Sequence, residues 1–115
     1  MATNSLTQTK TLSTTSDLQQ KLINCAIVCE SCETSCLNED NITLLARCIE
    51  LTRDCADICM LGSRIVQRDS EIEEDYLKLV ATMCMMCAEE CRKHSHEHCR
   101  VCADECEACA QACEK

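Results

Sequence analysis

Cysteine spacing is the most informative chemical feature of this chain, in which 15 of 115 residues are cysteine. Every cysteine except Cys48 has another three or four positions away, a spacing that places both side chains on one face of an α-helix. A core lined with thiols can hold a soft metal ion in quantity, because thiolate sulfur is a preferred ligand of such ions. The candidate metal ligands are Cys25, Cys29, Cys32, Cys36, Cys48, Cys55, Cys59, Cys84, Cys87, Cys91, Cys99, Cys102, Cys106, Cys109 and Cys113.

Three histidines lie between Cys91 and Cys99. These two cysteines are eight positions apart, where an alternation of three and four would give seven, so a turn is predicted between them. His94 and His98 are candidate additional ligands at an entry point for metal. Histidines in an exposed turn are more often solvated than ligating, and alternation is expected to aim His96 outward.

Four helices are predicted to position these side chains. The chain has no proline and one glycine, which leaves few breaks and disfavours strands and hairpins. Capping boxes at Ser16-x-x-Gln19 and Ser70-x-x-Glu73 are expected to open the first and third helices. The predicted helices span about residues 17–38, 42–68, 70–93 and 95 to the C-terminus. We expect residues 1–15 to be a disordered polar tail and residues 16–115 to form one domain.

The cysteine faces of these helices predict an all-α, antiparallel, up-down four-helix bundle with a cysteine-lined core. At roughly 100° per residue, the cysteines from Cys25 to Cys36 fall within about 60° of arc. Those from Cys99 to Cys113 keep a strict alternation of three and four, the spacing of a bundle seam. Short turns between amphipathic helices favour antiparallel neighbours, so the seams should converge into a tube of thiols.

The two ends of this tube are expected to differ. One end should collect apolar side chains, namely Leu18, Leu22, Ile65, Val66, Leu77 and Val80. The opposite end should collect Cys36, Cys91, Cys99 and the histidines, which makes it the predicted mouth for metal. Glutamates between the cysteines are expected on solvent-facing sides of the helices.

Composition argues against nucleic acid and membrane as partners. Twenty acidic and 11 basic residues give a formal net charge of -9, whereas phosphate contacts need clustered lysine and arginine. The first 16 residues carry neither a basic segment nor an apolar run typical of a secretory signal. A cytoplasmic location is therefore expected, where thiols stay reduced and serve as metal ligands or catalytic groups.

Charge favours Cu(I) among the metals, because one Cu(I) replaces one thiol proton and leaves the core neutral. Zn(II) on four thiolates would bury two negative charges per site, yet two facing ladders of cysteine could still supply such a site. An iron-sulfur protein and a thiol redox buffer are further alternatives. The C-x2-C-x2-C-x3-C-P run of many iron-sulfur proteins is missing, and parallel thiols on one helix face meet disulfide torsions poorly. No catalytic site is predicted.

Two stretches, CIELTRDCADIC over residues 48–59 and CRKHSHEHCRVC over residues 91–102, resemble the cytosolic copper storage proteins. With the flanking cysteine ladders, the resemblance covers roughly residues 17–115. It implies a homotetramer of four-helix bundles, each storing multiple Cu(I) ions on inward-facing cysteines, with C-x3-C pairs as two-coordinate sites. It also implies copper ions as the cargo and a copper chaperone or exporter as a possible partner.

Overall fold

The computed structural model describes residues 15–114, so the predicted tail lies outside the described residues except for Thr15. The helices are α1 (Asp17–Leu37), α2 (Ala46–Gln67), α3 (Glu73–Cys91) and α4 (Glu97–Cys113). A short 3-10 helix, Ile42–Leu45, leads into α2, and there is no strand within residues 15–114. The predicted all-α class is confirmed.

Each helix packs against two others, so the bundle is a four-membered ring around one core. Helix α1 packs against α2 and α4, and α3 packs against the same two helices. Because the connections are short, sequential helices run antiparallel. The helices therefore place the N-terminus of α1 and the C-terminus of α4 at one end, and Cys36, Cys48, Cys91 and Cys99 at the other.

Helix α1 begins with the predicted cap. The Oγ of Ser16 accepts a hydrogen bond from the backbone N–H of Gln19 at 3.1 Å. The side chain of Gln19 does not complete the box; its amide donates to the carbonyl of Ser63 at 3.1 Å. Gln19 thus donates the cap bond at the start of α1 through its backbone, and its side chain ties that helix to the end of α2.

The second predicted capping box is wrong, and α3 begins three residues later than expected. Asp69 adopts a left-handed backbone conformation with φ of 51°, which ends α2. The carbonyl of Ser70 accepts from the N–H of Glu73 at 3.0 Å, and its Oγ accepts from the N–H of Ile72 at 3.3 Å. Ser70 therefore closes a turn, while Ile72 occupies the N-cap position without a side-chain bond.

Three other predicted helix boundaries also differ from the structure. The α-helical part of α2 starts at Ala46, because residues 42–45 wind as a 3-10 helix. Helix α3 ends at Cys91 and α4 starts at Glu97, each two residues inside the predicted limits. The turn predicted between Cys91 and Cys99 is present and spans residues 92–96.

Apolar side chains fill the end of the bundle that holds the start of α1. Leu22 and Val80 are completely buried, Leu77 is buried in the same cluster, and Ile65 is buried at the same end of the bundle, near the C-terminus of α2. Gly62 lies on α2 where side chains of α1 and α3 come close to its backbone. A Cβ at this position would stand 3.3 Å from the Tyr76 ring and 3.4 Å from Leu22. We call Leu22, Gly62, Ile65, Leu77 and Val80 the apolar layer. Leu18 and Val66 are half-buried against the core, so the predicted apolar end is present.

No helix in the described part of the chain has the length and apolar character that a membrane span requires.

Candidate metal centre

All fifteen cysteines lie within the described residues, and they form the centre of the bundle. Fourteen are buried, and Cys113 at the C-terminal end of α4 is half-buried. None is joined in a disulfide. Their close sulfur pairs lie 3.5 to 4.0 Å apart, well beyond the roughly 2.05 Å of an S–S bond. The core is therefore a packed set of free thiols.

These sulfurs meet across helices as well as along them. The Sγ atoms of Cys29 and Cys106 lie 3.5 Å apart and join α1 to α4. Cys59 and Cys84 lie 3.6 Å apart and join α2 to α3. The Sγ of Cys25 lies 3.9 Å from that of Cys84, so α1 and α3 touch through their thiols across the centre of the ring. The predicted convergence of the cysteine faces is present.

The potential ligand atoms form overlapping groups along the bundle axis. Within each group all ligand atoms lie within 4.8 Å of one another, and each group shares at least one cysteine with the next. From the apolar layer to the histidine end, five of these groups are Cys25, Cys55, Cys59 and Cys84; Cys25, Cys29, Cys55 and Cys106; Cys29, Cys87, Cys102 and Cys106; Cys32, Cys91 and Cys102; Cys32, Cys36, His98 and Cys99. We call this series the thiol column.

Cys48, which has no cysteine neighbour at helical spacing, finds its neighbours on other elements. Its Sγ lies 3.6 Å from that of Cys91 and 3.9 Å from that of Cys36. The next position on the same face of α2 holds Thr52, which is completely buried and donates its hydroxyl to the carbonyl of Cys48 at 2.8 Å. The core-facing side of α2 therefore has one position, Thr52, without a sulfur atom.

Cys109 and Cys113 lie toward the C-terminal end of α4, at the end of the bundle that holds the apolar layer. The pKa of the Cys109 thiol is lowered chiefly by a hydrogen bond with Cys113 and is influenced also by Cys25, Cys59 and Cys84. Cys109 is completely buried and Cys113 is half-buried. The structure thus places fourteen of the fifteen predicted cysteines in the buried core and packs Cys113 against it.

The two predicted candidate histidines have different surroundings. The Nδ1 of His98 lies 3.4 Å from the Sγ of Cys32, 3.6 Å from that of Cys99 and 4.0 Å from that of Cys36. His94 instead places its Nε2 2.9 Å from a carboxylate oxygen of Glu90. The geometry therefore puts His98 among the thiols, while His94 contacts an acidic side chain.

Glu90 and Glu39 are two polar residues that sequence reasoning did not single out. The expectation that glutamates between the cysteines face solvent is wrong for Glu90, which is buried between Arg47, Lys93 and His94. Its carboxylate links the start of α2 to the end of α3. Glu39 lies in the connection after α1 and contacts both His96 and His98. Nothing in the local sequence distinguishes either from the other eighteen acidic residues of the chain.

Burial favours the protonated form of two thiols at the histidine end, Cys99 and Cys36. Burial and the nearby charge of Cys48 raise the pKa of Cys99 to about 11. Burial likewise raises the pKa of Cys36. A metal ion that binds here must displace protons, since only the thiolate is a strong ligand.

Because neighbouring groups share sulfurs, the thiol column suits an ion that needs two or three sulfur ligands better than an ion that needs four of its own. A Zn–S bond of about 2.3 Å corresponds to sulfurs roughly 3.8 Å apart, so the distances alone suit zinc as well as copper. Successive groups of the thiol column have members in common, however, and cannot each hold an independent four-thiolate ion. Cu(I) accepts two or three sulfur ligands, which lets one column take many ions.

The chain is similar to proteins that bind copper. A family model described as copper storage protein matches residues 11–115. The uncharacterized cysteine-rich protein YhjQ of Bacillus subtilis is 43% identical over 91 residues, which are 79% of this chain and 84% of that protein.

Solved structures give the same result. The Cu(I)-bound copper storage protein BsCsp3 from Bacillus subtilis is 40% identical with a TM-score of 0.81, over 84% of this chain and 92% of that one. A cytosolic copper storage protein from Streptomyces lividans, solved with five coppers, is 36% identical with a TM-score of 0.82, over 84% of this chain and 86% of that one.

Proposed function

The chain belongs to the copper storage protein family, and from that membership we propose that it stores multiple Cu(I) ions in the cytoplasm on the thiolates of its core. The observation that supports this most directly is the thiol column, an unbroken series of sulfur groups drawn from all four helices. All fifteen cysteines serve as ligands, with C-x3-C pairs as two-coordinate sites and His98 as an additional ligand.

Charge balance explains why such a column suits this ion. Fifteen thiolates without metal would add fifteen negative charges to a chain whose formal net charge is already -9. Each Cu(I) that replaces one thiol proton restores neutrality in an interior that stabilises ions poorly. The column can therefore fill along its length without accumulating charge.

The overlap between groups provides a route for ion movement. An ion held by Cys32 and Cys91 can pass to Cys102 and then to Cys29 and Cys106 by exchanging one thiolate at a time, because each group contains a member of the next. Entry takes place at the histidine end, where Cys36, Cys99 and His98 lie together. In the opposite direction, the residues of the apolar layer offer no ligand, and Cys109 and Cys113 are the thiols on the neighbouring helix α4.

The proposed role is non-enzymatic. The thiolates bind and release the ion without changing its oxidation state, and no bond in a second substrate is made or broken. A copper chaperone that delivers the ion, or an exporter that removes it, would act at the histidine end by the same ligand exchange.

We also propose that the chain assembles as a homotetramer. Large apolar side chains are exposed on the outer surfaces of the bundle, with Leu44 at 73%, Ile72 at 55% and Ile27 at 54% of full exposure. Burying such groups between copies would lower the free energy of the assembly. Light scattering during gel filtration should give the mass of four 12.9 kDa chains; a mass of 12.9 kDa would contradict this assembly.

Titration of the reduced protein tests the storage proposal. Under anaerobic conditions, Cu(I) is added in competition with a chromogenic chelator, and Zn(II) is added to a parallel sample. We expect roughly one Cu(I) per thiol to be held against the chelator, with zinc saturating at a few ions. Saturation at about one to three ions of either metal would indicate a structural metal site instead. Visible absorbance of the isolated protein would indicate an iron-sulfur cluster.

A further inference from the structure

We propose that Glu39 is a positioning residue for metal exchange at the histidine end. In this role its carboxylate fixes His98 in the tautomer that presents an unprotonated Nδ1 to Cys32, Cys36 and Cys99. The inference rests on the proposed copper storage function and assigns a task to a side chain that contacts no thiol.

The imidazole of His98 is held between a carboxylate and three sulfurs. On one side, its Nε2 lies 2.8 Å from Oε2 of Glu39. On the other side, its Nδ1 lies 3.4 Å from the Sγ of Cys32 and 3.6 Å from that of Cys99. The two ring nitrogens therefore face environments of opposite character, which determines how the ring can serve as a ligand.

A carboxylate only accepts hydrogen bonds, so a 2.8 Å contact requires the proton of a neutral imidazole to be on Nε2. The lone pair of the ring is then on Nδ1, the atom that faces the thiols. Histidine ligands in metalloproteins commonly donate their second N–H to a carboxylate in this way, which orients the ring and raises its basicity. Without Glu39, the proton could lie on either nitrogen and the ring could rotate.

Glu39 is itself held in place by its neighbours. Its backbone N–H donates to the carbonyl of Cys36 at 3.2 Å, so the residue is fixed to the turn that carries a thiol of the same site. Its Oε2 also lies 3.4 Å from Nδ1 of His96. The rings of His96 and His98 stack with centroids 5.2 Å apart and planes within 6°. One carboxylate thus joins the connection after α1 to both rings at the start of α4, His96 at the N-cap and His98 in the first turn.

This arrangement makes the outermost site different from those deeper in the thiol column. The outermost group contains three thiols and one imidazole, whereas the four other groups named above contain thiols alone. Imidazole is a less soft ligand than thiolate, so Cu(I) is held less tightly where His98 takes part. Glu39 therefore governs the step at which ions are exchanged with the surroundings, and leaves the capacity of the column unchanged.

The test compares Glu39→Ala with Asp40→Ala. Both variants remove one acidic side chain from the same connection, but Asp40 is exposed and serves as the matched control. In the metal-free protein, imidazole nitrogen chemical shifts measured by NMR report the tautomer of His98. We expect wild type and Asp40→Ala to show the proton on Nε2, and Glu39→Ala to show a mixture of tautomers.

With Cu(I) added, the most weakly held ions of Glu39→Ala should bind about 10- to 100-fold less tightly to the protein, with total capacity unchanged. The proposal is overturned if Glu39→Ala leaves the tautomer as in wild type, or if Asp40→Ala changes affinity equally, since the effect would then be one of charge alone. Failure of the storage proposal would look different: wild type itself would not take up Cu(I) in quantity, while the tautomer would still respond to Glu39.

Discussion

Thr52 interrupts the sulfur lining of α2 at a single buried position. It lies four residues after Cys48 and three before Cys55, on the same face of the helix, and it is completely buried. Its hydroxyl is satisfied by the carbonyls of Cys48 and Ile49 within its own helix, so no other element depends on it. A cysteine at this position would add a sixteenth thiol to the core without enlarging the side chain.

Thr52→Cys should therefore increase the copper capacity. We expect about one additional Cu(I) per chain to be held against a competing chelator, because the new sulfur joins the existing column. Thr82→Cys is the matched control, since Thr82 is exposed on α3. Equal gains in both variants would show that capacity follows the number of cysteines and not their location in the core.

Cys48 shows what residue spacing can and cannot predict. Helical spacing placed fourteen cysteines in ladders because partners three or four residues apart lie on one helix. The partners of Cys48 are Cys91 and Cys36, 43 and 12 positions away, so its contacts depend on how helices align in the bundle. The same limit applies to Glu39, whose contact with His98 spans 59 positions.

At the scale of elements, the two serines predicted as caps provide a direct comparison. Ser16 makes its cap bond and Ser70 closes a turn outside α3. We expect Ser16→Ala to lower the free energy of unfolding of the metal-free protein by about 0.5–2 kcal/mol, since a helix N–H loses its partner. Urea unfolding followed by circular dichroism measures this, and Ser70→Ala should have the smaller effect. A larger loss for Ser70→Ala would contradict the assignment of caps.

The side of each helix that faces the core was predictable from this sequence, but the residues at which the helices begin and end were less predictable. The inward face of each helix follows from the positions of its cysteines, because the period of 3.6 residues leaves little freedom in their direction. The start of α3 depends on the left-handed conformation of Asp69, and the delayed start of α2 depends on residues 42–45 winding as a 3-10 helix. In both segments the backbone adopts one of several conformations of similar energy. The spacing of apolar residues and cysteines does not distinguish between these conformations.

Gly62 allows α2 to approach α3 closely in the apolar layer. A side chain larger than a methyl group would collide with the Tyr76 ring and with Leu22. We expect Gly62→Leu to destabilise the metal-free protein by about 1–3 kcal/mol, the usual cost of overpacking a core. Copper capacity should stay the same because no thiol is removed.

Urea unfolding of Gly62→Leu and of Asp57→Leu, an exposed position on the same helix, separates crowding from any general effect of leucine. An undiminished free energy of unfolding in Gly62→Leu would mean that the layer can expand to admit the side chain.

For the whole molecule, copper binding should be coupled to proton release. The pKa of Cys99 is raised to about 11, so near neutral pH this thiol is protonated and each Cu(I) that binds it displaces a proton. Below this pKa, the affinity for Cu(I) should rise by about tenfold per unit increase in pH for each proton displaced, and fall by the same factor as pH decreases. A weakly buffered titration with a pH indicator should detect about one proton per Cu(I). Uptake without proton release would show that the thiols are already ionised.

The apolar end of the bundle determines the order in which bound ions leave. Leu22 and Val80 are completely buried and offer no sulfur or nitrogen to an ion, so at that end of the bundle only Cys109 and Cys113 on α4 provide a ligand. An ion bound beside Cys59 and Cys84 can leave through the histidine end only after the ions nearer the histidines have moved. By this route the last ion to bind is the first to be released. The ions bound deepest are released only when copper stays scarce for a long time.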